Sequence, residues 1–390
     1  LNLGGTAVTS TAAELNLLDG VTAIATSLNG LSDVLIEDNS LYLGNIPSGT
    51  TSTASYNVAV GIDALDAITT GERNVAVGYN ALTSNATADG NTASGYESLE
   101  ANTTGQSNVA IGTWSLTANT TGSWNTAVGY QSLTSNTTGN SNTASGILAL
   151  YANTTGNYNT ASGFHALEEN TTGHSNTASG HNSLTSNTTG HSNTASGYQS
   201  MKSNTEGDYN TASGHYSLYY NTTGSRNTAT GSSSLYSNTT GKYNTASGYS
   251  SLRYNTTGDN NTASGYESMR ANTTGHSNTA TGYYSLYSNT TGIRNTATGY
   301  YTMRNNTTGD KNTATGYYTL KGNTTGTRNI AVGYGALDAA DDEDDNLAIG
   351  YDALGGSVAG GEYNAAVGNY ALDALTSGDG NTGVGYNAMT

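Results

Sequence analysis

The sequence predicts an all-β protein, a parallel β-solenoid with one coil per 17-residue repeat. Three observations predict it. An Asn-x-Ala-x-Gly unit starts at Asn57, Asn74, Asn91 and onward to Asn346 with a fixed 17-residue period, and after one extra residue it starts again at Asn364 and Asn381. Repetition at a short fixed period marks a stacked, quasi-one-dimensional architecture. Counting each Asn as position 1, position 5 is Gly in all twenty units, position 3 is Ala in all but one (Gly383), and position 9 is always Leu or Met. Composition supplies the third: helix formers are scarce, 34% of residues are hydrophobic and Gly occurs 51 times, so backbone ladders must carry much of the fold. A disordered chain of low hydrophobicity would not need Gly at one position in every unit.

Residues 1–56 stand outside the repeat and are expected to form a neck or cap. Thr11 and Glu14 have capping-box spacing, with Leu15, Leu17 and Leu18 following and Gly20 ending a short helix. Ala23 to Val34 reads as a second short helix. Leu35 to Gly44 alternates weakly, as a strand does, and Pro47-Ser-Gly turns the chain into the repeats. A cap is expected because an uncovered solenoid end is an open sheet edge.

Residues 57–390 form the repeat region, irregular at 338–363. An invariant Gly suggests a positive φ or a close backbone approach, and two Gly-bearing turns per period suit a coil of two short strands. Ala at position 3 implies a tightly packed face, and Leu or Met at position 9 supplies one apolar plug per coil. Asn at one place in every coil can stack, each amide bonding the next. Positions 2 and 4 are apolar near the ends, as in Val58 and Val60 or Ile330 and Val332, but Thr or Ser across the eleven coils from Asn142 to Asn312. These slots are expected to face inward or towards another chain, with hydroxyls bonding along the stack. The chain opens at Leu1 and stops at Thr390, ten residues into a repeat, so it is expected to be a piece of something longer.

Asn108-Val-Ala-Ile-Gly112, Asn57-Val-Ala-Val-Gly61 and Asn346-Leu-Ala-Ile-Gly350 resemble the head repeat of YadA-type trimeric autotransporter adhesins. The 17-residue version looks like repeats in phage tail-fibre and bacterial surface proteins. Thr11-Ala-Ala-Glu-Leu-Asn-Leu-Leu-Asp-Gly20 and Ile36-Glu-Asp-Asn-Ser-Leu-Tyr-Leu-Gly44 resemble segments of marine phage, including cyanophage, tail proteins. The resemblance implies a left-handed β-roll, three chains associated intertwined or side by side, and a virion tail or cell-surface location. The longer period and the central Thr and Ser faces depart from the YadA pattern. Thinness independently favours a homotrimer. One large apolar side chain per coil is little burial against an ordering cost of roughly 1–2 kcal/mol per residue.

The net charge of −17 argues against nucleic acid and anionic membrane surfaces. The absence of Cys excludes disulfides and thiolate metal sites, and no apolar stretch is long enough to span a membrane. No nucleophile, acid and base set is recognisable, so no enzyme is expected. Asp341, Asp342, Glu343, Asp344 and Asp345 replace one turn and offer hard oxygens to Ca²⁺, without the alternating spacing of a calcium loop; a solvated acidic turn is the simpler reading. His174 and His191 share a slot in adjacent coils and could stack within metal-binding reach.

The stronger candidate is a surface for host glycan or protein. Tyr283, Tyr284, Tyr300, Tyr301, Tyr317 and Tyr318 make paired ladders in three consecutive coils, with Arg294 and Arg304 nearby. Ten of the eleven Lys and Arg residues lie between Lys202 and Arg328. The expected function is a rigid trimeric shaft of a phage tail fibre, joined to a baseplate or tail and presenting a receptor-binding tip. A bacterial surface adhesin or extracellular filament is the second expectation. An ice-binding solenoid with exposed Thr ladders is the third.

Overall fold

A computed structural model describes residues 2–3, 6–7, 34–44, 46–49, 51, 53–356 and 361–389. The fold is all-β, a parallel solenoid of about twenty coils, and the described residues include no helix. The chain divides into two compact units, Leu1–Tyr158 and Asn159–Thr390.

In the first unit, β1 (Asn2–Leu3) and β2 (Thr6–Ala7) pair antiparallel. The helix expected after the Thr11–Glu14 box, through Leu15 to Gly20, lies outside the described residues, as does most of the one expected from Ala23. Val34, that helix's last residue, instead opens a strand. The single strand expected over Leu35 to Gly44 is a hairpin: β3 (Val34–Glu37) and β4 (Ser40–Leu43) pair antiparallel across Asp38 and Asn39. Both turn residues have positive φ, 46° and 62°, as the tight turns that match strand twist require. Asp and Asn accept that conformation because their short side chains bond the local backbone.

β4 also pairs in parallel with β5 (Val58–Val60), Leu41 opposite Val58, so it stands in the place of a coil strand. Buried Tyr42 fills the slot that Ala takes in every following coil of the unit. β3 covers the outer edge of β4. The in-register stack continues through β6 (Val75–Val77), β7 (Thr92–Ser94), β8 (Val109–Ile111), β9 (Thr126–Val128) and β10 (Thr143–Ser145).

Among the described residues each repeat coil holds one strand, of three residues at positions 2–4 except in the coils starting at Asn312 and Asn329, where it has five, and not the two expected. The reason is the backbone that follows it. In the coil starting at Asn125, φ is positive at Gly129, Gln131, Leu133 and Ser141. Left-handed residues at positions 7 and 9, separated by one residue outside that region, curl the chain where a second strand would have run straight. Placing non-Gly residues there costs roughly 1–2 kcal/mol each. That cost explains why position 9 takes Leu or Met and never Val or Ile, whose branched Cβ tolerates this region worst.

Backbone bonds between coils offset the strain, and they run both ways. Thr126, Leu133 and Ser135 donate N–H groups forward to the carbonyls of Asn142, Ala149 and Tyr151, at 2.8, 3.0 and 3.1 Å. Gly129, Gln131 and Ser141 donate backward to Ile111, Thr113 and Ser123, at 2.8, 3.0 and 3.0 Å.

Two buried Asn columns complete the interior, as the repeated Asn led us to expect. The Asn125 N–H donates to Asn108 Oδ1 at 2.9 Å, and its Nδ2 donates to the Gly139 carbonyl at 2.8 Å. Asn136, at position 12, donates from Nδ2 to Asn119 Oδ1 and to the same Gly139 carbonyl, at 2.8 and 3.0 Å. A Cβ on Gly139 would lie 2.4 Å from Asn136 Oδ1 and 2.5 Å from the Gly156 carbonyl oxygen, so the Gly of each Asn-Thr-Thr-Gly turn is there for space.

The inward reading of positions 2 and 4 is corrected. In β10 it is Ala144 that is buried, while Thr143 and Ser145 face out. Within the repeat coils the interior is already filled by Asn and Leu columns, which leave room for a methyl beside them.

The second unit repeats this coil from β11 (Thr160–Ser162) to β24 (Thr382–Val384), each strand parallel to the next. Near the 18-residue spacing, β22 (Leu347–Ile349) pairs with β23 (Ala365–Val367) in the usual register, Leu347 opposite Ala365. The Asn364 N–H still donates to Asn346 Oδ1, at 2.9 Å. The strand ladder and the Asn column therefore pass the longer spacing without a bulge; residues 357–360 lie outside the described residues.

Candidate functional site

With the interior committed to packing and hydrogen bonds, chemistry is left to the slots that face out. Position 6 carries the largest. From Tyr249 to Tyr351 every coil has Tyr there, and successive rings stack 4.9–5.2 Å apart within 19° of parallel. The repeat sets this spacing, since coil-to-coil distance matches the separation of offset-stacked rings.

Position 7 doubles the column. Tyr284, Tyr301 and Tyr318 lie 4.4–4.5 Å from Tyr283, Tyr300 and Tyr317, at angles of 48–86°. The six tyrosines named from the sequence are thus one continuous surface. The phenol groups of Tyr284 and Tyr300 are pushed above the ordinary tyrosine range, mainly by desolvation, and Tyr317 mainly by its bond with Tyr318. They stay neutral at physiological pH and keep their O–H donors.

Arg304 joins this surface. Its guanidinium carbon lies 5.2 Å from the Tyr301 ring centre and 5.9 Å from that of Tyr284. Tyr287, which the sequence reading missed, lies 5.6 Å from it. Arg294 does not join: it sits at position 17, where its N–H donates to the His276 carbonyl, and no cation–ring contact among the described residues includes it. Reading the basic residues modulo 17 would have separated the two.

The acidic run at 341–345 is knit into its own turn. Glu343 accepts the N–H groups of Asp341 and Asp342, Asp344 accepts from Thr327, and Arg328 bridges Asp344 and Asp345. The Arg328 pairing holds the Asp345 carboxyl below its ordinary range. His174 and His191 stack face to face, 4.8 Å apart and 3° from parallel, and His191 Nε2 lies 3.3 Å from Asp208 Oδ2. Among the described residues no three His, Asp or Glu side chains converge as a metal site would require.

The second outward surface is the strand face. In the second unit it displays two columns of hydroxyls, from Thr160 and Ser162 to Thr313 and Thr315, and in the first unit Thr143 and Ser145 face out in the same way. The same slots expose Val58, Val60 and Ile111 in the first unit and Ile330, Val332 and Ile349 in the second, each between 37% and 45% accessible. Exposed β-branched apolar residues gathered on one face are a feature of interaction surfaces.

No protein-family model matches the chain, and no curated protein matches it.

Proposed function

We propose that this chain is a structural and adhesive fibre segment: a rigid shaft of three copies of itself, part of a phage tail fibre that holds a receptor-binding tip away from the particle. The observation that carries the reading is the exposed strand face. In one chain, Val and Ile at positions 2 and 4 are open to solvent in each of the two units, which a solitary protein of 34% hydrophobic residues has little reason to display. Three chains placed strand face to strand face would bury those residues, and the central Thr and Ser columns would hydrogen-bond across the same seam. The coil supports a mechanical role, since its interior is bonded along the stack. The assignment to a phage fibre, rather than a bacterial surface adhesin, rests on the resemblance of residues 11–20 and 36–44.

Sedimentation equilibrium of the full chain tests the seam. Three copies with little monomer at micromolar concentration are expected; a stable monomer there would remove the shaft reading. The exposed hydroxyl columns favour one further reading, because a flat, regular array of Thr left free in a monomer is suited to ordering water. Measurable thermal hysteresis by a monomeric chain would select that ice-binding alternative.

A further inference from the structure

The basic residues of this acidic protein are sorted into two columns. Lys202, Arg253, Arg270, Arg304 and Lys321 all occupy position 10, and the intervening slots of that column hold Tyr219, Tyr236 and Tyr287. Eight consecutive coils therefore carry either a cation or a tyrosine at one place, with no carboxylate among them. The column ends abruptly: Asp338 follows Lys321, and Thr185 and Glu168 precede Lys202.

Its register is fixed by the backbone. Each position 10 carbonyl accepts the position 11 N–H of the preceding coil, from Ser186 to Lys202 through Asn305 to Lys321, at 2.9–3.2 Å. At one coil per roughly 4.8 Å, the column is a ridge on the order of 34 Å long.

The cations lie against tyrosine rings, and of the five only Arg270 has a carboxylate within 4.0 Å among the described residues. Arg253 lies 5.4 and 5.5 Å from the rings of Tyr236 and Tyr254, and Lys321 lies 4.7 Å from that of Tyr318. Arg270 donates to the Tyr287 and Tyr254 hydroxyls, at 2.8 and 3.3 Å, and has Glu267 at 3.8 Å. No carboxylate lies within 4.0 Å of Lys202, Arg253, Arg304 or Lys321 among the described residues. The other column, at positions 16 and 17, differs: Arg328 is paired with Asp344 and Asp345, and Asp208, Asp259 and Asp310 occupy position 16 beside it.

We propose that the position 10 ridge binds an extended acidic polysaccharide lying parallel to the stack. The ridge is linear, one residue wide and periodic, which fits a chain molecule and not a compact anion. A sugar in an extended 1,4-linked chain advances by close to one coil spacing, so sulfates or carboxylates can meet successive guanidinium groups. Tyrosine hydroxyls between the cations serve the sugar hydroxyls. Double-stranded nucleic acid and lipid surfaces are disfavoured, because both present broad anionic faces to a body of net charge −17. The site involves neither the strand face nor the number of chains, so it stands apart from the shaft reading.

The test uses the full chain and four immobilised probes: dextran sulfate, polygalacturonate, neutral dextran and single-stranded oligothymidylate. Binding to one or both acidic glycans, weakened by salt and absent on neutral dextran, is expected; the first two arms tell sulfate from carboxylate recognition. The triple change Arg253→Gln, Arg304→Gln and Lys321→Gln should weaken it about tenfold or more. Lys242→Gln, Arg294→Gln and Lys311→Gln, which remove the same charge from the other column, should leave it unchanged. Arg253→Lys with Arg304→Lys keeps the charge and the fold but loses the planar fork, and should fall between. Equal losses in both triple variants, equal retention on neutral dextran, or tighter binding to oligothymidylate than to either acidic glycan would overturn the proposal.

Discussion

The coil that begins at Asn57 and the coil that begins at Asn227 have the same skeleton and opposite surfaces. Both place an Ala in the core, a buried Leu at position 9, and an Asn whose Nδ2 bonds the carbonyl of its own turn Gly at 2.9 Å. Their position 2 N–H groups reach the next coil at 2.9 and 2.8 Å. Yet one shows Val58 and Val60 to the outside, and the other Thr228 and Thr230. Val and Thr are poor substitutes inside a protein, where the hydroxyl needs a partner, but equivalent on an outward strand face where solvent or a neighbour supplies one. The interior therefore specifies the coil, and the outward slots are free to vary with the partner each region meets.

The sharpest way to break that division is to attack the interior. Leu235→Asp buries a carboxylate in a column that is wholly apolar, and it should cost more than about 4 kcal/mol, abolishing the cooperative thermal transition of the region by circular dichroism. Leu235→Met should cost less than about 1.5 kcal/mol, since Met201 and Met269 already sit in that slot. Next in size is the Asn column. Asn238→Ala removes the bonds to Asn221 Oδ1 and the Gly241 carbonyl and takes from Asn255 one of its two acceptors, at about 1–3 kcal/mol per buried group left unpaired, read from urea unfolding.

The outer surface should behave otherwise. Thr228→Val with Thr230→Val should move folding stability by no more than about 0.5 kcal/mol. Val58→Thr with Val60→Ser should be equally mild for folding, but shift self-association to higher protein concentration in sedimentation runs. A large folding defect in either pair would show that the outward slots help to specify the coil.

The smallest effect concerns the acidic coils beyond the basic ridge. The Asp338 carboxyl is pushed up by desolvation and then by Asp352, and Asp352 by desolvation and then by Asp373. A carboxyl raised in the folded state favours folding when protonated, and that contribution is lost as pH rises through its folded value. Asp338→Asn should therefore raise the melting temperature slightly at pH 7, with the gain vanishing below about pH 4.

Much of the interior was legible in the sequence, because its slots are each restricted for one reason. Gly at position 5 announced a positive φ, Asn a ladder, and Leu or Met an apolar plug. The second strand was misread because the residues that prevent it carry no turn signature: Gln131, His165, Tyr216 and Glu267 share a left-handed position 7 although none is Gly or Asn. The direction of positions 2 and 4 was equally hidden. Alternation shows that two slots share a side, but Val in one coil and Thr in another do not say which. The basic ridge was overlooked because charges were counted along the chain instead of by slot.

The two-way bonding between coils also dictates how the protein yields to force. A pull on one end loads the bonds of the last coil along their own direction, so they part in sequence and the next coil is loaded only after the previous one has peeled away. Each event frees 17 residues that were held within one coil spacing, lengthening the chain by roughly 50–55 Å. Tension on such a strand would be released in even steps, one tooth per coil, and a slackened end would find the next coil's exposed N–H and C=O groups still laid out as the template on which to rewind.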